Sequence, residues 1–196
     1  MKAFLAALIL FLSMLASVYF YGLNIHQDLA SMDGTIHQNW AKLENSFLTR
    51  AELVPELISI AKDFDFLNKR TIQDIQQRNK AAKRIIVEQD QSKLLANYQS
   101  FQSLQKSQND LTDALTQLWI EVKANRQFKP GQEFMALKTK LEMARVNLLT
   151  EKQAFNSQVK SYNKQVRSFP DALVALAYGF NRKVEFNGNL LETNAK

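Results

Sequence analysis

A chain of 196 residues, 46% of them hydrophobic, can bury one sizeable core, or a modest core together with a membrane segment. Cysteine is absent, which excludes disulfides, thiolate metal sites and cysteine nucleophiles. The formal charge of +6 comes from 25 basic residues spread among 19 acidic ones, the pattern of a solvated helical surface and not of a nucleic-acid patch, while three prolines and five glycines point to an all-α protein.

Residues 3–21, AFLAALILFLSMLASVYFY, carry no charge and approach the length of about twenty apolar residues that spans a bilayer. A cleaved signal peptide is the rival reading, since Lys2 followed by an apolar run is also its pattern. The run exceeds the usual signal core, however, and ends in Tyr19, Phe20 and Tyr21, aromatics suited to a membrane interface, where a signal would have a small-residue cleavage site. The expectation is an uncleaved anchor over 1–22 with the lipid bilayer as its partner through 3–21. Lys2 precedes the anchor, whereas Asp28 and Asp33 follow it and no Lys or Arg occurs until Lys42. The positive-inside tendency therefore places the bulk of the chain on the periplasmic or extracellular side, with the cytoplasmic side as the alternative.

Helical periodicity continues past Gly22 through Ile25, Leu29, Met32, Ile36, Trp40, Leu43, Phe47, Val54, Leu57, Ala61 and Phe64. Arg50 interrupts this stripe, and two arrangements fit it: the stem snorkels along the stripe, or the side chain pairs with a carboxylate such as Glu44 or Glu142 inside the bundle. Pro55 removes a backbone donor within the helix; Thr49 and Glu52 have capping-box spacing, so a restart near residue 50 and a kinked continuous helix both fit.

Leu67, Ile72, Ile75, Ala82 and Ile85 mark the next helix, the most cationic of the chain but without aromatic platforms for bases. A turn is expected at 87–93, and then one helix through Leu94, Tyr98, Phe101, Leu104, Leu111, Leu115, Leu118 and Val122, with Gln108 on the same face. Pro130 and Gly131 break the chain before a long helix whose stripe runs Phe134, Leu137, Leu141, Ala144, Leu148, Phe155, Val159, Tyr162, Val166 and Phe169. At about 1.5 Å per residue that stretch is roughly 50 Å long and needs other helices to cover it. Ser168 and Pro170 open a short amphipathic helix to about Phe180, and the tail from 187 to 196 has little to bury. The architecture expected is an amino-terminal transmembrane helix followed by an elongated antiparallel bundle of about four long helices over 23–186.

Residues 155–186 resemble the carboxy-terminal signature of the LemA family in Phe155-Asn156, Val159, Tyr162-Asn163, Phe169-Pro170, Gly179-Phe180 and Phe186. Upstream, Trp40, Leu43 and Glu44, then Arg50, Leu53-Val54-Pro55 and Leu57, are similar to the family's Trp-x-x-Val-Glu and Arg-x-x-Leu-Ile-Pro-x-Leu run. Two departures stand out: Glu56 where the family usually has Asn, and Arg145-Val146-Asn147 where it has Glu-Asn-Arg. The resemblance extends over nearly the whole chain, anchor included, and implies a membrane-anchored antiparallel helical bundle of bacterial type, a group for which membrane-associated scaffolding and membrane shaping have been suggested.

No catalytic, cofactor or metal site is expected. His26 and His37 are the only histidines, about 16 Å apart along a helix, and no HExxH, P-loop or dinucleotide fingerprint occurs. The carboxylate pairs Asp63/Asp65 and Asp110/Asp113 lack a neighbouring base or nucleophile. Asn156 and Asn163, one heptad apart, read as a polar layer fixing helix register together with Tyr162; a ligand groove built on Asn156, Asn163 and Arg50 is the alternative. The function expected is a non-enzymatic scaffold or interaction module at the cell membrane, its protein partner unnamed and self-association open to it. An accessory binding subunit for an envelope protease or transporter is the alternative, and nucleic acid is disfavoured.

Overall fold

The computed structural model describes residues 2–188, with side chains from Phe4 onward. Every regular element among the described residues is a helix: α1 (Lys2–Ala61), α2 (Lys69–Glu88), α3 (Gln91–Ala96), α4 (Tyr98–Ala124), α5 (Gln132–Arg167) and α6 (Asp171–Tyr178). Four are long, as the stripes require, and the fold is an all-α bundle. Residues 189–196, most of the expected free tail, lie outside the described residues, as does the Lys2 side chain.

α1 runs through Pro55 without a break. No restart occurs near residue 50, because Thr49 spends its hydroxyl on the Asn45 carbonyl one turn back, at 2.9 Å, and caps nothing. The proline does leave the Ala51 carbonyl without its intrahelical donor. Asn79 of α2 supplies one, its Nδ2 donating to that carbonyl at 2.9 Å.

Asp90 caps α3 by accepting from the Ser92 and Lys93 amides, and Asn97 caps α4 by accepting from the Ser100 amide at 3.0 Å. The helix expected to be continuous from Leu94 is therefore split at Asn97, and Tyr98, read as part of its buried stripe, is exposed. On α2 the buried stripe is Ile72, Ile75, Asn79, Ala82 and Ile86, with Ile85 only partly covered.

The described chain forms two compact units, both drawing on the stretch read above as one bundle. The first joins the chain up to Gln38 with Ser157–Lys183. Within it Ile25, Leu29 and Ile36 of α1, Val159 and Tyr162 of α5, and Ala175 of α6 are buried. The second joins Asn39–Asn156 with the chain from Val184. There α1 and α5 are antiparallel, since Trp40 meets Phe155 at 5.5 Å between ring centroids while Glu56 meets Lys140 at 3.6 Å. α2 and α4 are antiparallel as well: Thr71 donates to Glu121 at 2.6 Å, and Arg78 pairs with Asp110 at 3.6 Å. Glu121 also accepts the Asn68 amide at 3.1 Å and so fixes the start of α2. Val54, Leu57, Ile75, Leu111, Leu115, Leu118 and Leu137 form the apolar core of this unit, each worth about 1.5–3 kcal/mol when fully buried. The stripe of α5 holds from Phe134 to Tyr162 and then ends; Val166 is half-buried and Phe169 is exposed.

Candidate functional site

In the second unit the residues singled out by sequence converge on the chain after Val184. Trp40, Phe101 and Phe155 pack at 5.5–6.3 Å between centroids, and Phe47 and Phe101 reach Phe186 at 5.3 and 6.0 Å. Phe186 is fully buried, although it sits in a segment with no regular secondary structure. A buried backbone outside any helix must find hydrogen-bond partners, and Asn156 provides them. Its Oδ1 accepts the Phe186 amide at 2.8 Å and its Nδ2 donates to the Phe186 carbonyl at 2.9 Å, so one side chain pairs with the backbone as a neighbouring strand would. Next along, Gln105 accepts the Asn187 amide at 2.8 Å and Lys152 donates to the Gly188 carbonyl at 2.6 Å. Lys152 is held below its usual pKa by burial. Gly188 has no room for a side chain, since a Cβ there would collide with the Phe186 ring and with Asn109. The first two residues of the expected tail, Asn187 and Gly188, are thus anchored.

The first unit repeats the device with Asn163. Its Oδ1 accepts the Lys183 amide at 2.9 Å and its Nδ2 donates to the Lys183 carbonyl at 2.8 Å. The Lys183 ammonium meets Asp33 at 2.8 Å. Burial first, and the Asp33 charge second, push the Tyr162 hydroxyl from 10.0 up to about 12. Neither asparagine forms the expected polar layer between helices; each is committed to the backbone of the carboxy-terminal segment. Gly179 ends α6 with φ 74°, a conformation costly for residues with a Cβ, and the Phe180 amide reaches back to the Ala175 carbonyl at 2.9 Å. This turn delivers Phe180 to His26, with ring centroids 5.5 Å apart, and Tyr178 lies 4.4 Å from the same imidazole. Phe169-Pro170 is a cis peptide and Pro170 occupies the cap position of α6. Ser168, expected to cap that helix, donates to Lys164 at the end of α5.

Arg50 is 2% exposed. Its Nη1 donates to Thr112 Oγ1 at 2.8 Å and its Nη2 to Gln108 Oε1 at 2.7 Å and to the Gln108 carbonyl at 3.3 Å. Glu142, one of the two carboxylates proposed for it, is paired with Arg145, which keeps its pKa low. The other, Glu44, is raised above the ordinary carboxylate value by burial, opposed by the Trp40 indole. Among the described residues no group of three His, Asp or Glu is disposed to hold a metal ion. Clefts of the second unit include an open one of about 410 Å³ against Phe66, Asn68, Glu121 and Asn125, one of about 290 Å³ against Phe64, Leu67, Lys69 and Ile72, and one of about 280 Å³ against Pro55, Ile58, Asn79 and Lys80. None of the three is lined by an aromatic or asparagine of the carboxy-terminal signature.

The family model described as the LemA family matches residues 39–195. The chain belongs to the LemA family. The match begins next to Trp40, so the amino-terminal apolar stretch, included in the resemblance noted from sequence, lies outside it. No curated protein matches the chain. Several of the LemA signature residues of this chain act on its carboxy-terminal stretch: within the second unit Trp40, Phe155 and Asn156 pack around or hold the chain after Val184, and within the first Asn163 holds Lys183 while Gly179 and Phe180 end α6. Glu56, one position where the chain departs from the LemA pattern, makes a surface ion pair with Lys140, and Arg145, at the other, pairs with Glu142. Asn79, Gln105, Lys152 and Gly188 complete the arrangement without having been visible as candidates; Asn79 alone had a signal, a polar residue on an otherwise apolar stripe.

Proposed function

We propose that this chain is a single-pass membrane protein whose helical bundle serves as a scaffold, presenting its surface to protein or membrane partners outside the cytoplasm and catalysing no reaction. One observation carries the reading: the exposure of α1 changes along its length. Every side chain from Phe4 to Tyr21 is exposed, and from Ile25 the same helix carries a buried stripe. It is the one helix among the described residues that is long and apolar enough to cross a membrane. Eighteen helical residues rise about 27 Å, close to the roughly 30 Å hydrocarbon thickness of a bilayer. The absence of Lys and Arg between Gly22 and Ala41 supports the outward placement of the bundle.

The scaffold reading draws its support from the polar groups that a ligand groove would need. Asn156, Asn163 and Arg50 have protein partners and serve packing. The test of the anchor is extraction of membranes carrying the full chain with alkaline carbonate. Retention of the chain in the membrane pellet is the expected result; quantitative release would contradict the anchor.

A further inference from the structure

α6 presents an apolar face to the outside. Leu173 and Leu176 are 62% and 83% exposed, and Phe169 just before the helix is 83% exposed. This is not a loosely attached helix, because Ala175 on the opposite side is 2% exposed and Gly179 closes its end by hydrogen bonding to the Ala175 carbonyl. Nor does it have the composition of a solvated face: Asp171 is its one charged residue. Contiguous exposed apolar residues of this kind mark a binding surface.

What covers that surface follows from where α6 is held. Tyr178 packs on His26 at 4.4 Å between ring centroids, and His26 stands five residues beyond Tyr21, the last residue of the exposed apolar stretch of α1. Five helical residues rise about 7.5 Å. The headgroup layer on each side of the hydrocarbon is roughly 5–7.5 Å thick, so a bilayer crossed by residues 4–21 has the outer edge of its headgroup layer close to His26. We infer that α6 is an interfacial helix whose Leu173 and Leu176, with Phe169 beside them, seat in the headgroup layer of the bilayer that α1 crosses. Helices that lie in this layer bury their apolar face about 5–10 Å into the boundary with the acyl chains. Arg167 before α6 and Arg182 after it are both exposed and can reach lipid phosphates from either end. The inference rests on the anchor reading above and adds a second, peripheral attachment to it, which would set the tilt of α1 as it leaves the membrane.

The absence of cysteine allows a direct test with the full chain in vesicles of phosphatidylcholine and phosphatidylglycerol. Leu176→Cys and Leu12→Cys, each carrying an environment-sensitive fluorophore, report on α6 and on the anchor separately. The expected result is quenching of the label at 176 by lipids spin-labelled near the headgroup and weaker quenching by lipids labelled deep in the chain, with the label at 12 quenched by the deep probe. A solvent-like, unquenched label at 176 beside a quenched label at 12 would overturn the inference and leave the anchor standing. Absence of quenching at both sites would overturn the two together. Leu173→Cys serves as a second reporter on the same face, and the inference requires it to behave as 176 does.

Discussion

Asn79 donates its side-chain amide to the Ala51 carbonyl at 2.9 Å, the acceptor that Pro55 leaves vacant four residues later in α1. A proline inside a helix removes one donor and crowds the preceding turn. Here the freed acceptor is buried between helices, so the missing donor is supplied from α2, and the position of Asn79 on its stripe fixes how α2 meets α1 within the second unit. The polar residue on an apolar stripe and the proline on the neighbouring helix explain each other.

Asn79→Leu is therefore expected to lower stability by about 1–3 kcal/mol, the cost of a buried acceptor left without a donor. Pro55→Ala restores an amide at position 55 that can reach the same carbonyl, and in that background the cost of Asn79→Leu should shrink by about 1 kcal/mol. Thermal unfolding of the four variants in detergent measures the cycle; strictly additive effects would show that the two residues do not share this carbonyl.

The carboxy-terminal segment gives a second prediction. Asn156→Leu and Asn163→Leu each remove a donor and an acceptor from a backbone peptide, at an expected cost of about 1–3 kcal/mol apiece. Tryptic cleavage at Arg182 and Lys183 should accelerate in Asn163→Leu, because the Lys183 peptide loses both of its bonds to the asparagine. Unchanged cleavage rates would mean that the segment is held without that asparagine.

Much of this was legible in the sequence, and the limits are instructive. The stripes of α1 and α5 follow from periodicity, and Trp40, Phe47, Phe155 and Tyr162 are buried where it places them. The break at Asn97 was not legible, because an asparagine that caps one helix looks like a polar residue inside a longer one. The roles of Asn156 and Asn163 were misread for a related reason. A heptad of amides suggests helix pairing, whereas their partner is irregular backbone, which has no periodic hydrophobic signature until it is seen against the helix. For Arg50 the sequence offers a snorkelling stem or a carboxylate partner; the structure sets the Gln108 and Thr112 oxygens against its fork, and of these only Gln108 is marked by the stripe of α4.

Tyr162 makes stability fall at high pH. Its folded value of about 12 lies above the ordinary 10.0, so between those pH values the unfolded chain binds fewer protons than the folded one and stability decreases as pH rises. The contribution is intact below pH 10 and lost as pH passes through about 12. In Tyr162→Phe that part of the pH dependence should disappear, as measured by denaturant unfolding from pH 9 upward; an unaltered slope would assign the loss to other groups.

The central claim, an uncleaved anchor carrying the bundle outside the cytoplasm, is tested most directly by one labelling measurement on intact bacterial cells. Ser92→Cys, in α3, and Thr193→Cys each provide a single thiol in this cysteine-free chain. The account predicts that a membrane-impermeant maleimide labels both before lysis, on full-length chain that remains with the membrane. Labelling only after lysis would contradict the outward placement, and a labelled product shortened at its amino terminus and released from the membrane would contradict the anchor itself.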